Sequence, residues 1–216
     1  MLVQVGFEII SAILFFRIPK AARRQYFFIG VMLIAEPASM ITTSVGYHVF
    51  HILMNKTIIV LQLLYAIIPM LVYKELINTK RFTFIAYSFI AAHLIFGLTN
   101  IFFIQGFSIV NSYTNAISDA IIVSLALYYF YVLIKQLPLE SSLTKQPMFW
   151  FNLAMSIVYI GTFFINTFED YLITVMNSNF IIPLYIYHSF QLIFNIIVWY
   201  AFLKMHSDYR NREYSI

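Results

Sequence analysis

Residues 113–134 read YTNAISDAIIVSLALYYFYVLI, twenty-two residues with one charged side chain, Asp119, and Lys135 directly after them. At about 1.5 Å per residue such a run crosses a hydrocarbon core about 30 Å thick. Six further stretches have the same character, at roughly 1–17, 26–47, 57–75, 82–104, 148–168 and 180–203. In lipid every backbone N–H and C=O needs a partner inside the protein, which leaves helices or a closed barrel. Barrel strands alternate in polarity and run to about ten residues. Unbroken runs of 17 to 24 residues predict helices instead. The expected fold is all-α, a polytopic membrane protein in which residues 1–216 form one seven-helix transmembrane domain.

The cations set an expected orientation. Arg17, Lys20, Arg23 and Arg24 follow the first run; Lys74, Lys80 and Arg81 follow the third; Lys135 and Lys145 follow the fifth; Lys204, Arg210 and Arg212 follow the last. Of thirteen lysines and arginines, only Lys56 falls in the alternate connections. The positive-inside rule then places the N-terminus outside and the C-terminus in the cytoplasm. A cleaved signal peptide carries its basic residues ahead of the apolar run. Met1–Phe16 has none and four cations follow it, the pattern of a first helix that is retained, though short for a full span.

Composition agrees. The chain is 62% hydrophobic and 10% charged, with a mean hydropathy of +0.83, beyond what a water-soluble domain tolerates. The sequence pI of about 9.2 reflects cations meeting anionic headgroups, so the lipid bilayer is the expected partner and nucleic acid is not. Tyr26, Phe27, Tyr47, Tyr73, Phe82, Tyr131, Phe149, Trp150, Trp199 and Tyr200 lie near run ends, as interfacial aromatics do. Without cysteine there is no disulfide and no thiolate chemistry. The connection at 135–147 reads as a short irregular loop, residues 105–112 and 169–179 as the longer outer loops, and the stretch after Lys204 as a mixed-charge tail. Any output domain is then a separate protein. A repeat pairing helices 1 with 5, 2 with 6 and 3 with 7 sets Glu8 beside Asp119 in depth, but the other side chains do not match.

Ionisable groups inside spans are costly and mark function by default. Glu8, Glu36, Tyr65, His93, Tyr159 and His188 fall near the midplane, and Asp119 about a turn further out. Steps of three and four collect polar residues on single helix faces: Tyr185, His188, Gln191 and Asn195; Glu36, Ser39, Thr43 and Tyr47; Ser112, Asn115 and Asp119; Asn152, Ser156, Tyr159 and Asn166; His93, Gly97 and Asn100; Gln62 and Tyr65. Faces of this kind turn away from lipid. They imply a polar cavity or network in the outer half of the bundle. For the Asn, Gln and Tyr residues the competing reading is interhelical hydrogen bonding that holds the bundle together; for buried carboxylates that reading is weaker, since such bonding needs no ionisable group. Pro37, Pro69 and Pro183 fall inside runs and can kink them.

Several chemistries drop out. A retinal Schiff base needs a mid-span lysine, and the last helix has only Lys204 at its end. No P-loop, H-E-x-x-H or G-x-S-x-G occurs. The histidines and acids inside the runs lack the i, i+3 or i, i+4 spacing of a helical metal site, so no metal or cofactor is expected unless folding gathers Glu36, His93, Asp119 or His188.

Several motifs carry a resemblance over most of the chain: Asn111-Ser112-Tyr113 with Asp119 after it, Tyr128-Tyr129-Phe130-Tyr131, Pro147-Met148-Phe149-Trp150-Phe151-Asn152 leading to Tyr159-Ile160-Gly161, and His188 with Asn195. In these the chain resembles a group of small seven-helix membrane proteins of Bacteroidota-type bacteria. The resemblance implies no activity of itself; a gene setting near sensor kinases and response regulators, which it implies, favours sensing. Three functions compete, with a structural or assembly role beside them. One is a receptor-like module binding a small polar ligand at Glu36, Tyr65, His93, Asp119, Tyr159, His188, Gln191 and Glu8 and acting through a cytoplasmic or membrane signalling partner. Another is a secondary transporter or proton-coupled channel. The third is an intramembrane lipid-acting enzyme, for which no nucleophile is fixed.

Overall fold

The computed structural model describes residues 2–50, 63–64, 66–106, 112–136, 138, 142–174 and 181–213. Among them there is no strand. The helices are α1 (Leu2–Phe16), α2 (Lys20–Gln25), α3 (Phe27–Phe50), α4 (Ile67–Ile77), α5 (Lys80–Thr99), α6 (Ser112–Gln136), α7 (Pro147–Thr174) and α8 (Ile181–Glu213). A π-helical turn at Asn100–Ile104 extends α5, and a 3-10 turn at Leu143–Lys145 precedes α7. Four stretches are long and apolar enough to cross a membrane: Lys80–Ile104, Ser112–Gln136, Pro147–Phe168 and Tyr185–Arg210. Gln4–Phe16 is a shorter apolar helix.

Neighbour relations close on themselves. Helix α1 packs on α3, α3 on α4, α4 on α6, α6 on α7, α7 on α8, and α8 back on α1. Helix α5 stands outside this ring against α4 and α6. Its placement fits its sequence: Phe84, Ile95, Phe102 and Phe103 leave it at 63% exposure or more, an apolar surface of the kind that lipid covers. Helix α7 instead buries Phe151, Ala154, Met155 and Val158 on one face and is the best-packed of the four long helices.

Local chemistry explains the joints. Asn78 takes the left-handed conformation (φ 39°) that ends α4, its N–H bonded to the Lys74 carbonyl, because asparagine tolerates that region better than other side chains. Thr79 then caps α5, its hydroxyl accepting from the Phe82 N–H at 3.2 Å. Glu75 at the end of α4 accepts the N–H groups of Phe27 and Phe28 at 3.0 and 2.9 Å, meeting the unpaired donors that open α3. The Thr144 carbonyl accepts from Trp150 Nε1 at 2.8 Å and from Lys204 Nζ at 3.0 Å, so the 142–146 connection is held by α7 and α8. These contacts gather the basic residues at one end of the bundle. There Arg23, Lys74, Lys135 and Lys204 lie over the rings of Phe16, Tyr87, Tyr131 and Tyr200 at 5.8 to 6.0 Å.

Several boundaries depart from the expected ones. Helix α7 continues to Thr174, so Glu169 and Asp170 are helical rather than looped, and α8 continues to Glu213 in place of a tail. Neither extension contains Gly or Pro, and backbone bonding continues past the apolar stretch once the helix is nucleated. Pro183 is the third residue of α8 and Pro69 the third of α4, where the missing N–H is one that a first turn leaves unpaired. The turn at Ala66 separates helical Leu63 and Leu64 from α4, so the third run does break just before Pro69, while Pro37 lies within α3.

Candidate functional site

The α1/α8 seam gathers a set of buried polar side chains. Gln4, Glu8 and Ser11 lie at steps of four and three on one face of α1, and His188, Gln191 and Asn195 do the same on α8. Ser11 Oγ donates to Asn195 Oδ1 at 2.6 Å, and Trp199 Nε1 donates to Ser11 Oγ at 2.7 Å. The Trp199 ring stacks on Phe7 with centroids 4.8 Å apart. Gln4 Nε2 donates to Glu8 Oε1 at 2.9 Å, Asn195 Nδ2 to the Gln191 carbonyl at 2.9 Å, and Gln191 Nε2 to the Tyr187 hydroxyl at 3.1 Å. Glu8 is 2% exposed, Gln191 6% and Gln4 7%. Yet Glu8 Oε2, Gln4 Oε1, Gln191 Oε1 and His188 Nδ1 are buried with no hydrogen-bond partner among the described residues. Buried polar atoms are nearly always paired, so such a concentration marks this seam off from the others.

A second cluster joins α5 to α6. His93 Nε2 lies 3.1 Å from the Leu63 carbonyl, which only accepts, so this nitrogen carries the hydrogen. His93 Nδ1 lies 2.9 Å from Ser118 Oγ, which is also 2.7 Å from the Thr114 carbonyl. Gly97 permits the approach: a Cβ there would overlap Leu63 Cδ1 and sit 3.2 Å from Thr114 Cγ2. Further along, Asn100 Nδ2 donates to Thr114 Oγ1 at 3.0 Å and to Gln105 Oε1 at 2.7 Å, and Gln105 Nε2 to Ser112 Oγ at 3.0 Å. The π turn begins at Asn100, with the Gln105 N–H bonded to its carbonyl at 2.8 Å. The His93–Ser118 distance suits a base and a hydroxyl, but both side chains are buried between helices and the arrangement is that of a clasp.

Asp119 belongs to a third cluster. Although adjacent to Ser118, it turns toward α7, where Asn166 Nδ2 donates to its Oδ2 at 2.8 Å and Thr162 bonds to it as well. The hydrogen bonds thus distribute the expected site residues over different seams instead of one shared patch. Glu8, His188 and Gln191 lie at α1/α8, His93 at α5/α6 and Asp119 at α6/α7. Tyr159 is half-buried on α7 beside the main core. Tyr65 lies outside the described residues, and of Glu36 only the helical backbone is described. Tyr185 is 69% exposed and leaves the stripe it was expected to share. Residue 185 is ten positions before Asn195, about 80° off its direction at 3.6 residues per turn.

Sequence reasoning passed over Gln4, Ser11, Thr114, Ser118 and Thr162, all buried and polar. The spacing Gln4, Glu8, Ser11 was visible and matches the face logic applied to α8. Near the basic end the seams are aromatic: Phe130 packs on Phe149 at 5.6 Å, Phe149 on Trp150 at 5.4 Å and Trp150 on Tyr200 at 4.9 Å. Tyr131, near the same end, is 56% exposed. No protein-family model, curated protein or solved structure matches this chain.

Proposed function

We propose that the chain is a seven-span, N-out and C-in protein of the bacterial inner membrane that binds a small polar ligand at the α1/α8 seam and signals through a separate partner. The observation that carries this reading is the group of buried, unpartnered polar atoms on Gln4, Glu8, Gln191 and His188, which lies away from the basic end. With the charge asymmetry of the loops read as positive-inside, those atoms fall in the outer half of the membrane. The aromatic contacts of Phe130, Phe149, Trp150 and Tyr200 fall in the inner half and favour binding over passage. A ligand that fits α1 and α8 better in one packing than another shifts the balance between the two. The long α8 carries that shift past Lys204 to the basic end, where a partner reads it.

Transport is the rival, because buried acids also carry protons. Purified protein reconstituted in liposomes under a pH gradient separates the two. The receptor reading expects no proton or solute flux in the wild type. Flux that disappears in Glu8→Gln overturns it in favour of a proton-coupled carrier.

A further inference from the structure

The α1/α8 seam specifies its ligand further than "small and polar". The Ser11–Asn195 bond and the Trp199–Ser11 bond fix the register of the two helices. Both helices run toward the basic end, so residue 11 level with residue 195 sets Glu8 at the level of Gln191 and Gln4 at the level of His188. Gln4 and Glu8 share the face of Ser11, and His188 and Gln191 share the face of Asn195. Each glutamine directs one amide hydrogen, Gln4 to Glu8 Oε1 and Gln191 to the Tyr187 hydroxyl. What remains at the seam, beside His188 Nδ1, is mainly oxygen: Glu8 Oε2, Gln4 Oε1 and Gln191 Oε1, each on a side chain more than nine-tenths buried.

Three acceptors without donors pose a charge and valence problem together. A carboxylate 98% removed from solvent is costly unless something positive meets it. The cations of the basic end lie past this level, Arg23 beyond the end of α1 and Lys204 on α8 nine residues after Asn195. A proton on Glu8 Oε2 turns that oxygen into a donor to one glutamine oxygen and leaves the other unmet. A cation that accepts several oxygens, or an ammonium group with three N–H donors, serves all of them at once. Glu8 brings a single negative charge, which a monovalent ion balances. Carboxylate and carbonyl oxygens suit hard cations. The stacked Phe7 and Trp199 rings border the same face and offer π surface to a positive charge.

We infer that Gln4, Glu8 and Gln191 form a binding site for a small monovalent cation, either sodium or the primary ammonium group of an organic ligand. The inference rests on reading the α1/α8 seam as the ligand site, and it names the chemistry that seam accepts.

Thermal unfolding of the purified full chain in detergent tests it, with intrinsic tryptophan fluorescence as the readout. Unfolding is compared in sodium chloride, methylammonium chloride and N-methyl-D-glucamine chloride at equal ionic strength, the last cation being too bulky for a seam between two helices. Saturating stabilisation by sodium or by methylammonium over the bulky cation is expected, a shift of about 5–10 °C at about 100 times the dissociation constant. Sodium alone identifies a metal-ion site; methylammonium alone identifies an amine site. In Glu8→Gln the salt difference disappears. Gln191→Leu, which keeps the charge and removes one oxygen, weakens the stabilising cation about tenfold, so the inference stays testable if Glu8→Gln fails to fold. Identical unfolding of the wild type in all three salts overturns the cation site, as does a shift that persists in Glu8→Gln. Such failure leaves the receptor reading standing with an uncharged ligand. Flux through liposomes defeats the receptor reading and leaves the cation site intact.

Discussion

Asn152 joins three helices through one side chain. Its Nδ2 donates to the Ala126 carbonyl of α6 at 3.0 Å, and its Oδ1 accepts from the Tyr73 hydroxyl of α4 at 2.8 Å. Both Asn152 and Tyr73 are fully buried. Asn152→Leu keeps the volume close and removes both bonds. Interhelical hydrogen bonds in membranes average about 0.6 kcal/mol, so the two together contribute about 1.2 kcal/mol. The substitution also leaves the Tyr73 hydroxyl buried without an acceptor, a cost of about 1–3 kcal/mol. The expected loss is therefore about 2–4 kcal/mol. Tyr73→Phe alone leaves Asn152 Oδ1 unmatched and is costly for the same reason. The double variant orphans neither partner and costs about 1 kcal/mol, so it falls short of the sum of the singles, about 4–8 kcal/mol, by about 3–7 kcal/mol. The assay is equilibrium unfolding in mixed micelles of mild detergent and sodium dodecyl sulfate, followed by tryptophan fluorescence. Single costs that add within about 0.5 kcal/mol would refute the bridge.

Gly97→Ala should destabilise by about 1–3 kcal/mol, because its Cβ overlaps Leu63 and crowds Thr114, whereas Gly6→Ala, with no atom within 4 Å of the new Cβ, should leave the melting temperature unchanged. For orientation, a reporter active only in the cytoplasm should work when fused after Ile216 and fail when inserted at Gly106; the reverse result would invert the inner and outer assignments.

The legible part of the fold was its periodicity and its charge. Runs such as 113–134 and 148–168 translate directly into α6 and α7, because an apolar stretch of that length has few other ways to satisfy its backbone. The ends were less legible. Residues 169–174 and 204–213 are polar enough to read as loops, but they continue helices already nucleated by the apolar turns before them. Helix-face spacing correctly grouped His188 with Gln191 and Asn195, yet overextended to Tyr185, since steps of three drift around a 3.6-residue helix. Glu75 looked like an ordinary residue at a run end; its service to the α3 amides depends on residues 47 and 48 positions away.

By itself the sequence determined that the chain is built of apolar helices carrying a few buried polar faces, and that its cations collect in alternate connections. Hydropathy and helical period are local properties, readable one segment at a time. Which faces meet was decided by tertiary structure alone. Ser118 and Asp119 are neighbours in the chain, but one bonds His93 on α5 and the other bonds Asn166 on α7. Gln4 and Glu8 of the first helix reach their setting only because the ring closes on α8, whose Asn195 lies 184 positions from Ser11. A polar face records only that lipid is excluded. The partner opposite it, and whether every polar atom finds one, follows from how helices distant in sequence fill the same interior.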